Sequence, residues 1–141
     1  MSNLVSYYWN DGDDIKITVD QDIIDFAPDY EKSFLLWFHL KPDDEIIYKT
    51  IFDYINKNYD AIYIGFIQRD SWVEWFSYRK DAKGFEKVLK DAVQKFSPLV
   101  YEFGSYRDKY WHHYKKSMYP DKIKKQLIEN ILIVDEVQKV I

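Results

Sequence analysis

The sequence predicts an α+β domain organised around one layer of strands. Three observations carry that expectation. An Asp-Gly turn separates two β-prone runs near the start, and the apolar periodicity of residues 33–104 reads strand, helix, strand, strand, helix, strand. Helical periodicity then continues beyond residue 105. With 141 residues, 47% apolar and 31% charged, and only four Gly and four Pro, the chain has material for one core. Disordered, collagen-like and low-complexity classes are excluded by the same figures.

Asn3–Asn10 and Ile15–Asp20 flank Asp11-Gly12-Asp13-Asp14 and form a predicted hairpin, because Gly12 takes a positive φ without steric cost. Gln21–Lys32, interrupted by Pro28, reads as a loop or an irregular turn. Ser33–Leu40 is almost wholly apolar, as a strand buried on both faces requires. Acidic residues at 43–45 then suit the start of a helix over residues 43–58, capped by Asp43 or Asp44, with Ile47, Ile51, Tyr54 and Ile55 on one face. Ala61–Gln68 and Trp72–Arg79 form an antiparallel pair across a short reversal. Lys80–Phe96 carries an unbroken stripe of Phe85, Val88, Leu89, Ala92, Val93 and Phe96, and Pro98 stops it. Leu99–Phe103 is a last core strand that Gly104 is expected to end. Arg107–Met118 reads as a short helix with Asp108 as its cap, and Pro120 suits the first turn of a final helix. The state of Ile131-Leu132-Ile133-Val134, within that final segment, stays open between helix and strand.

This order is the βαββαβ plan of a ferredoxin-like sandwich with an N-terminal β-hairpin and extra C-terminal helices. The expected organisation is a single domain: hairpin and loop over 1–32, the βαββαβ core over 33–104, and a helical segment over 105–141. Both crossover helices fall on one sheet face. The other face, rich in Tyr and Trp, is expected to stay open or to lie close to the C-terminal helices, with the hairpin widening the sheet.

Charge is unevenly placed. Residues 1–60 hold 13 acids and 5 bases, a balance of −8, and residues 61–141 hold 11 acids and 15 bases, a balance of +4, giving the net −4. The basic stretch Arg107–Lys125 suits an acidic partner or a second copy, although a solvated helix face explains it more simply. No apolar run reaches the roughly 18 residues of a membrane span, and the first 30 residues lack the pattern of a signal peptide. A cytoplasmic protein with no membrane partner is therefore expected. The absence of Cys excludes disulfides, thiol nucleophiles and Cys-type metal sites.

Motifs of catalysis are missing. His112 and His113 are adjacent and diverge by about 100° on a helix, so they cannot share an ion, and His39 lies within an apolar strand. Gly104-Ser105 lacks the second glycine of a nucleophile elbow, and Asp11, Asp13 and Asp14 do not follow calcium-loop spacing. No Gly-rich phosphate loop is present. No catalytic residue, metal or cofactor is expected.

Binding candidates fall into two groups. Trp72, Glu74, Phe76 and Tyr78 alternate onto one face of a strand, and Arg79 falls on the other. Burial among these aromatics would raise the Glu74 pKa, whereas pairing with Arg69, Arg107 or a lysine is the plainer reading. Asp108, Trp111 and Tyr114, spaced by three, follow one side of a helix. They either cap and pack against the sheet or present an aromatic anchor to a partner. Nucleic acid is disfavoured, since Arg69 and Arg79 are the only bases near the two central strands and the pI is near 5.4.

Several of these residues also carry a resemblance. Trp9 before the Asp-Gly turn, Gly65 on a strand, Glu74-Trp75-Phe76-Ser77-Tyr78, Asp108-x-x-Trp111-x-x-Tyr114 and Tyr119-Pro120 together resemble the bacterial family known as domain of unknown function 695, over roughly Tyr7 to Pro120. In some bacterial proteins such a domain is joined to one resembling the regulator of ribonuclease activity B. The resemblance implies no established activity and points to a regulatory or partner-binding role. The leading expectation is a non-catalytic interaction domain that contacts an unidentified protein through an aromatic surface. The alternative is a small-molecule or enzymatic pocket on the open sheet face lined by Glu74, Tyr78, Arg79 and Trp111. A third is a homo-oligomer formed through the C-terminal helix.

Overall fold

Trp72–Arg79 is apolar on both of its faces, and the computed structural model seats it accordingly, between two other strands and between two cores. The structure describes residues 4–10, 14–42, 44–96 and 98–120. Six strands form one antiparallel sheet: β1 (Leu4–Asn10), β2 (Asp14–Asp20), β3 (Phe34–Lys41), β4 (Ile62–Arg69), β5 (Trp72–Arg79) and β6 (Val100–Arg107). Their order across the sheet is β1-β2-β4-β5-β3-β6. Two helices connect strands that are not neighbours, α1 (Glu45–Asn58) between β3 and β4, and α2 (Phe85–Val93) between β5 and β6. The architecture is α+β, with the hairpin β1–β2 widening the sheet beside β4.

Both helices are amphipathic and bury their stripes on the same sheet face. Tyr48, Ile51, Phe52 and Ile55 of α1 join Phe85, Val88, Leu89, Ala92 and Val93 of α2 over Leu36, Phe38, Leu40, Val73 and Trp75. Asp44 caps α1 by accepting the Ile47 amide at 3.0 Å, satisfying one of the donors that a helix start leaves free. Asp43, the other expected cap, lies outside the described residues. α2 begins later than its periodicity suggests. Asp81 binds Arg79 and accepts the Lys83 amide, and Gly84 takes φ 78°, so residues 80–84 turn before the helix starts.

Of the two states expected for the opposite face, open or covered by the C-terminal segment, the second is found. Tyr7, Ile17, Val19, Leu35, Ile64, Ile67, Phe76 and Tyr78 are covered by Ile23 and by Trp111, Tyr114 and Met118. The energetic reason is plain, since an uncovered field of that many large apolar side chains is a substantial hydrophobic penalty. The covering segment is not the helix expected over residues 107–118. Arg107 ends β6, residues 108–111 turn, and only His113–Met118 is helical, as a π-helix closed by the Tyr119 amide on the Tyr114 carbonyl.

Two glycines permit close approaches. Gly65, at φ 136°, breaks the β4–β5 register, and a Cβ there would stand 2.0 Å from the Thr18 carbonyl oxygen on β2. Gly104 does not end its strand. It lies mid-β6 opposite Trp37, whose indole occupies the space a Cβ would need, at 2.5 Å. The turn at Asp11-Gly12-Asp13, the expected final helix, and Ile131–Val134 with the oligomer contact assigned to that helix all lie outside the described residues. No helix among the described residues is long and apolar enough to cross a membrane.

Candidate functional site

Asp108 is the centre of a buried polar cluster. Its carboxylate is buried and accepts the Tyr78 hydroxyl at 2.6 Å and the amides of His112 and His113 at 2.9 and 3.0 Å. Burial alone pushes this carboxyl up; the Tyr78 hydroxyl and the two amides outweigh it and hold Asp108 below its ordinary pKa. Burial and the neighbouring Asp108 carboxylate drive the Tyr78 phenol well above its usual range, so it remains a donor. Trp111 stacks on Tyr78 with ring centroids 4.0 Å apart and planes 4° apart, and its indole N–H donates to the Lys32 carbonyl. The Tyr114 hydroxyl donates to the Asp20 carbonyl at 2.6 Å, and the Tyr7 hydroxyl donates to the Met118 carbonyl at 2.6 Å. Tyr78, Trp111 and Tyr114 have no exposure at all. Asp108 caps and Trp111 packs, as the structural reading of their spacing requires. The expectation that these aromatics present a solvent-facing anchor is corrected, together with Phe76, which is buried beneath His113.

Glu74 follows its plainer reading. Arg69 forms an ion pair with Glu74, Nε to Oε1 2.9 Å, and His39 Nε2 stands 3.7 Å from Glu74 Oε2. Burial lowers the His39 pKa, with Glu74 opposing. Arg79 lies on the other sheet face, where Nε donates to the Asp60 carbonyl at 2.9 Å and the guanidinium covers the Tyr59 ring. It shares no site with Glu74, Tyr78 and Trp111, so the expected pocket on the open sheet face does not form. No group of three His, Cys, Asp or Glu among the described residues is arranged to hold a metal ion.

A different concavity does form, at the sheet end where the β4–β5 reversal meets the start of α1. The hairpin β1–β2 extends past the helices and leaves a ledge, and the cleft between ledge and α1 holds about 470 Å³. Tyr8 and Lys16 line it from the ledge, Tyr48 from α1, Gln68 and Arg69 from β4, and Trp72 from β5. Tyr8 is 58% exposed, whereas Trp72 is half-buried, with Lys41 Nζ 5.0 Å from its ring centre. The Gln68 amide donates to the buried Tyr48 hydroxyl at 3.2 Å and fixes the floor. Arg69 links the cleft to Glu74. Of the binding candidates singled out by sequence, only Trp72 reaches this cleft. Tyr8, Lys16, Tyr48 and Gln68 carry no motif. The available signal was weaker: an outward Tyr opposite Lys on a hairpin too wide for two helices to cover.

The arrangement defines a class: an α+β domain whose central strands are covered on both faces and which carries a polar concave surface at one end. A family model described as a family of unknown function, DUF695, matches residues 45–119, just over half of the chain. The chain belongs to that family. The match runs from α1 through the π-helix and so includes Trp72, Glu74 and the Asp108 cluster, but not Tyr8 and Lys16. No curated protein and no solved structure matches the chain.

Proposed function

We propose that this chain is a ferredoxin-like, non-catalytic regulatory domain that binds another protein through the Tyr8–Trp72 cleft. The fold part of this reading is supported by the order β6-β3-β5-β4, which is the order a split βαββαβ plan requires, with helices between the outer and inner members. The observation that carries the functional part is the composition of the cleft. Small-molecule sites are mostly apolar with a few convergent polar groups. Here Lys16, Asp44, Glu45, Gln68, Arg69, Asp70 and Ser71 outnumber the aromatic Tyr8, Tyr48 and Trp72. An exposed Tyr and a half-buried Trp set among charges are the make-up of a protein-contact hot spot. A bacterial cytoplasmic setting belongs to this reading, since a chain without Cys gives up nothing in a reducing compartment.

The test is quantitative capture at endogenous levels with three baits: the wild type, Trp72→Ala, and Tyr8→Ala with Lys16→Glu. The expected result is a protein retained by the wild type and lost from both variants, whose unfolding midpoints stay close to wild type. Retention unaffected by either variant, or no retained protein, overturns the assignment.

A further inference from the structure

The sheet has two outer strands, β1 and β6, and β6, with eight residues against seven, is the longer edge. Among the described residues it pairs with β3 alone, in a register that runs without a bulge from Phe34 opposite Arg107 to Lys41 opposite Val100. It contains no Lys and no Pro, the residues that usually protect such an edge. Val100 is 61% exposed and Tyr106 48%. We propose that β6 pairs antiparallel with β6 of a second copy of this chain, about a two-fold axis at Phe103, joining two sheets into one.

The register follows from symmetry. A two-fold axis normal to the sheet keeps its faces, so opposed residues must point to the same side. Centring at Glu102 sets like charges directly opposite one another, and centring at Ser105 opposes Glu102 to Asp108. A Gly104 centre puts Val100 against Asp108. The Phe103 centre alone opposes Val100 to Tyr106, twice by symmetry, covering the two most exposed apolar side chains of the strand. It also places Phe103 against itself, Tyr101 against Ser105, and Glu102 against Gly104, where no like charge stands. The contact is at the edge opposite the β1–β2 ledge, so it is independent of the cleft.

The absence of Cys makes a register-specific test direct. Opposed Cα atoms in antiparallel strands lie about 4.5–5.5 Å apart, within reach of a disulfide. Val100→Cys and Tyr106→Cys, each at an exposed position, are oxidised separately and as a mixture. Rapid covalent dimer formation in the mixture is expected, with neither variant alone, nor a Lys87→Cys control on α2, giving more than slow background. Sedimentation of the unmodified chain should show a dimer forming at on the order of 10–100 μM, as a small interface implies, and Val100→Lys should weaken it at least about tenfold. A monomer throughout that range, or cross-linking of a single variant as fast as the mixture, overturns the proposal. So does occupation of β6 by another segment of the same chain, which would abolish the mixed disulfide.

Discussion

His113 provides the sharpest test of how the covered sheet face is held. Its ring packs 4.2 Å from the Phe76 centroid, and Nε2 is buried without a hydrogen-bond partner among the described residues. Burial lowers its pKa from 6.5 to about 4; Asp108 opposes that shift, while Arg69 and His39 add to it. A native pKa of about 4 in place of 6.5 corresponds to about 3 kcal/mol. The unfolded chain binds this proton near pH 6.5 and the native state only near pH 4. The contribution is therefore complete above pH 6.5 and drains away as the pH falls towards 4, with most of it gone by pH 4.5. Urea unfolding of the wild type and of His113→Phe, followed by Trp fluorescence at pH 7 and pH 4.5, isolates the effect from other titrating groups. The wild type should lose about 2–3 kcal/mol more than the variant over that interval. An imidazole signal for His113 that titrates near 6.5, or equal losses in both proteins, would refute the reasoning.

Two further outcomes follow from the cores. Asp108→Ala removes the acceptor of one hydroxyl and two amides at once, and urea unfolding should show a loss of about 3 kcal/mol or more, whereas a loss under about 1 kcal/mol would mean the cluster is not the anchor of the π-helix. Gly65→Ala should cost more than Gly104→Ala in thermal unfolding, because the first meets the backbone of β2 at a positive φ while the second, at about 1–3 kcal/mol, meets a side chain rather than backbone. The reverse ranking would show that the β2–β4 contact is adaptable.

Much of the fold was legible because its signals are local. The doubly apolar run at residues 34–40, the α1 cap and the α2 stripe each decide their own element within a dozen residues. Failures came where a distant partner decides. Gly104 looks like a strand end until Trp37 is seen across from it, and residues 107–118 look like one helix until Tyr78 claims Asp108. The same blindness affected the site. An aromatic residue on a strand has the same spacing whether it meets water or a covering turn, so Trp72 and Phe76 were indistinguishable in sequence although one lines a cleft and the other is sealed.

The hydroxyls of Tyr7 and Tyr114 reach across 111 and 94 positions of chain to fasten the hairpin to the π-helix. During synthesis, these two fastenings of the hairpin therefore wait for the chain up to Met118 to leave the ribosome. Loop closure of that span is slow and entropically demanding. A nascent chain stalled short of residue 118 would carry a bare aromatic surface, and chaperones would be its natural company until the last turn arrived.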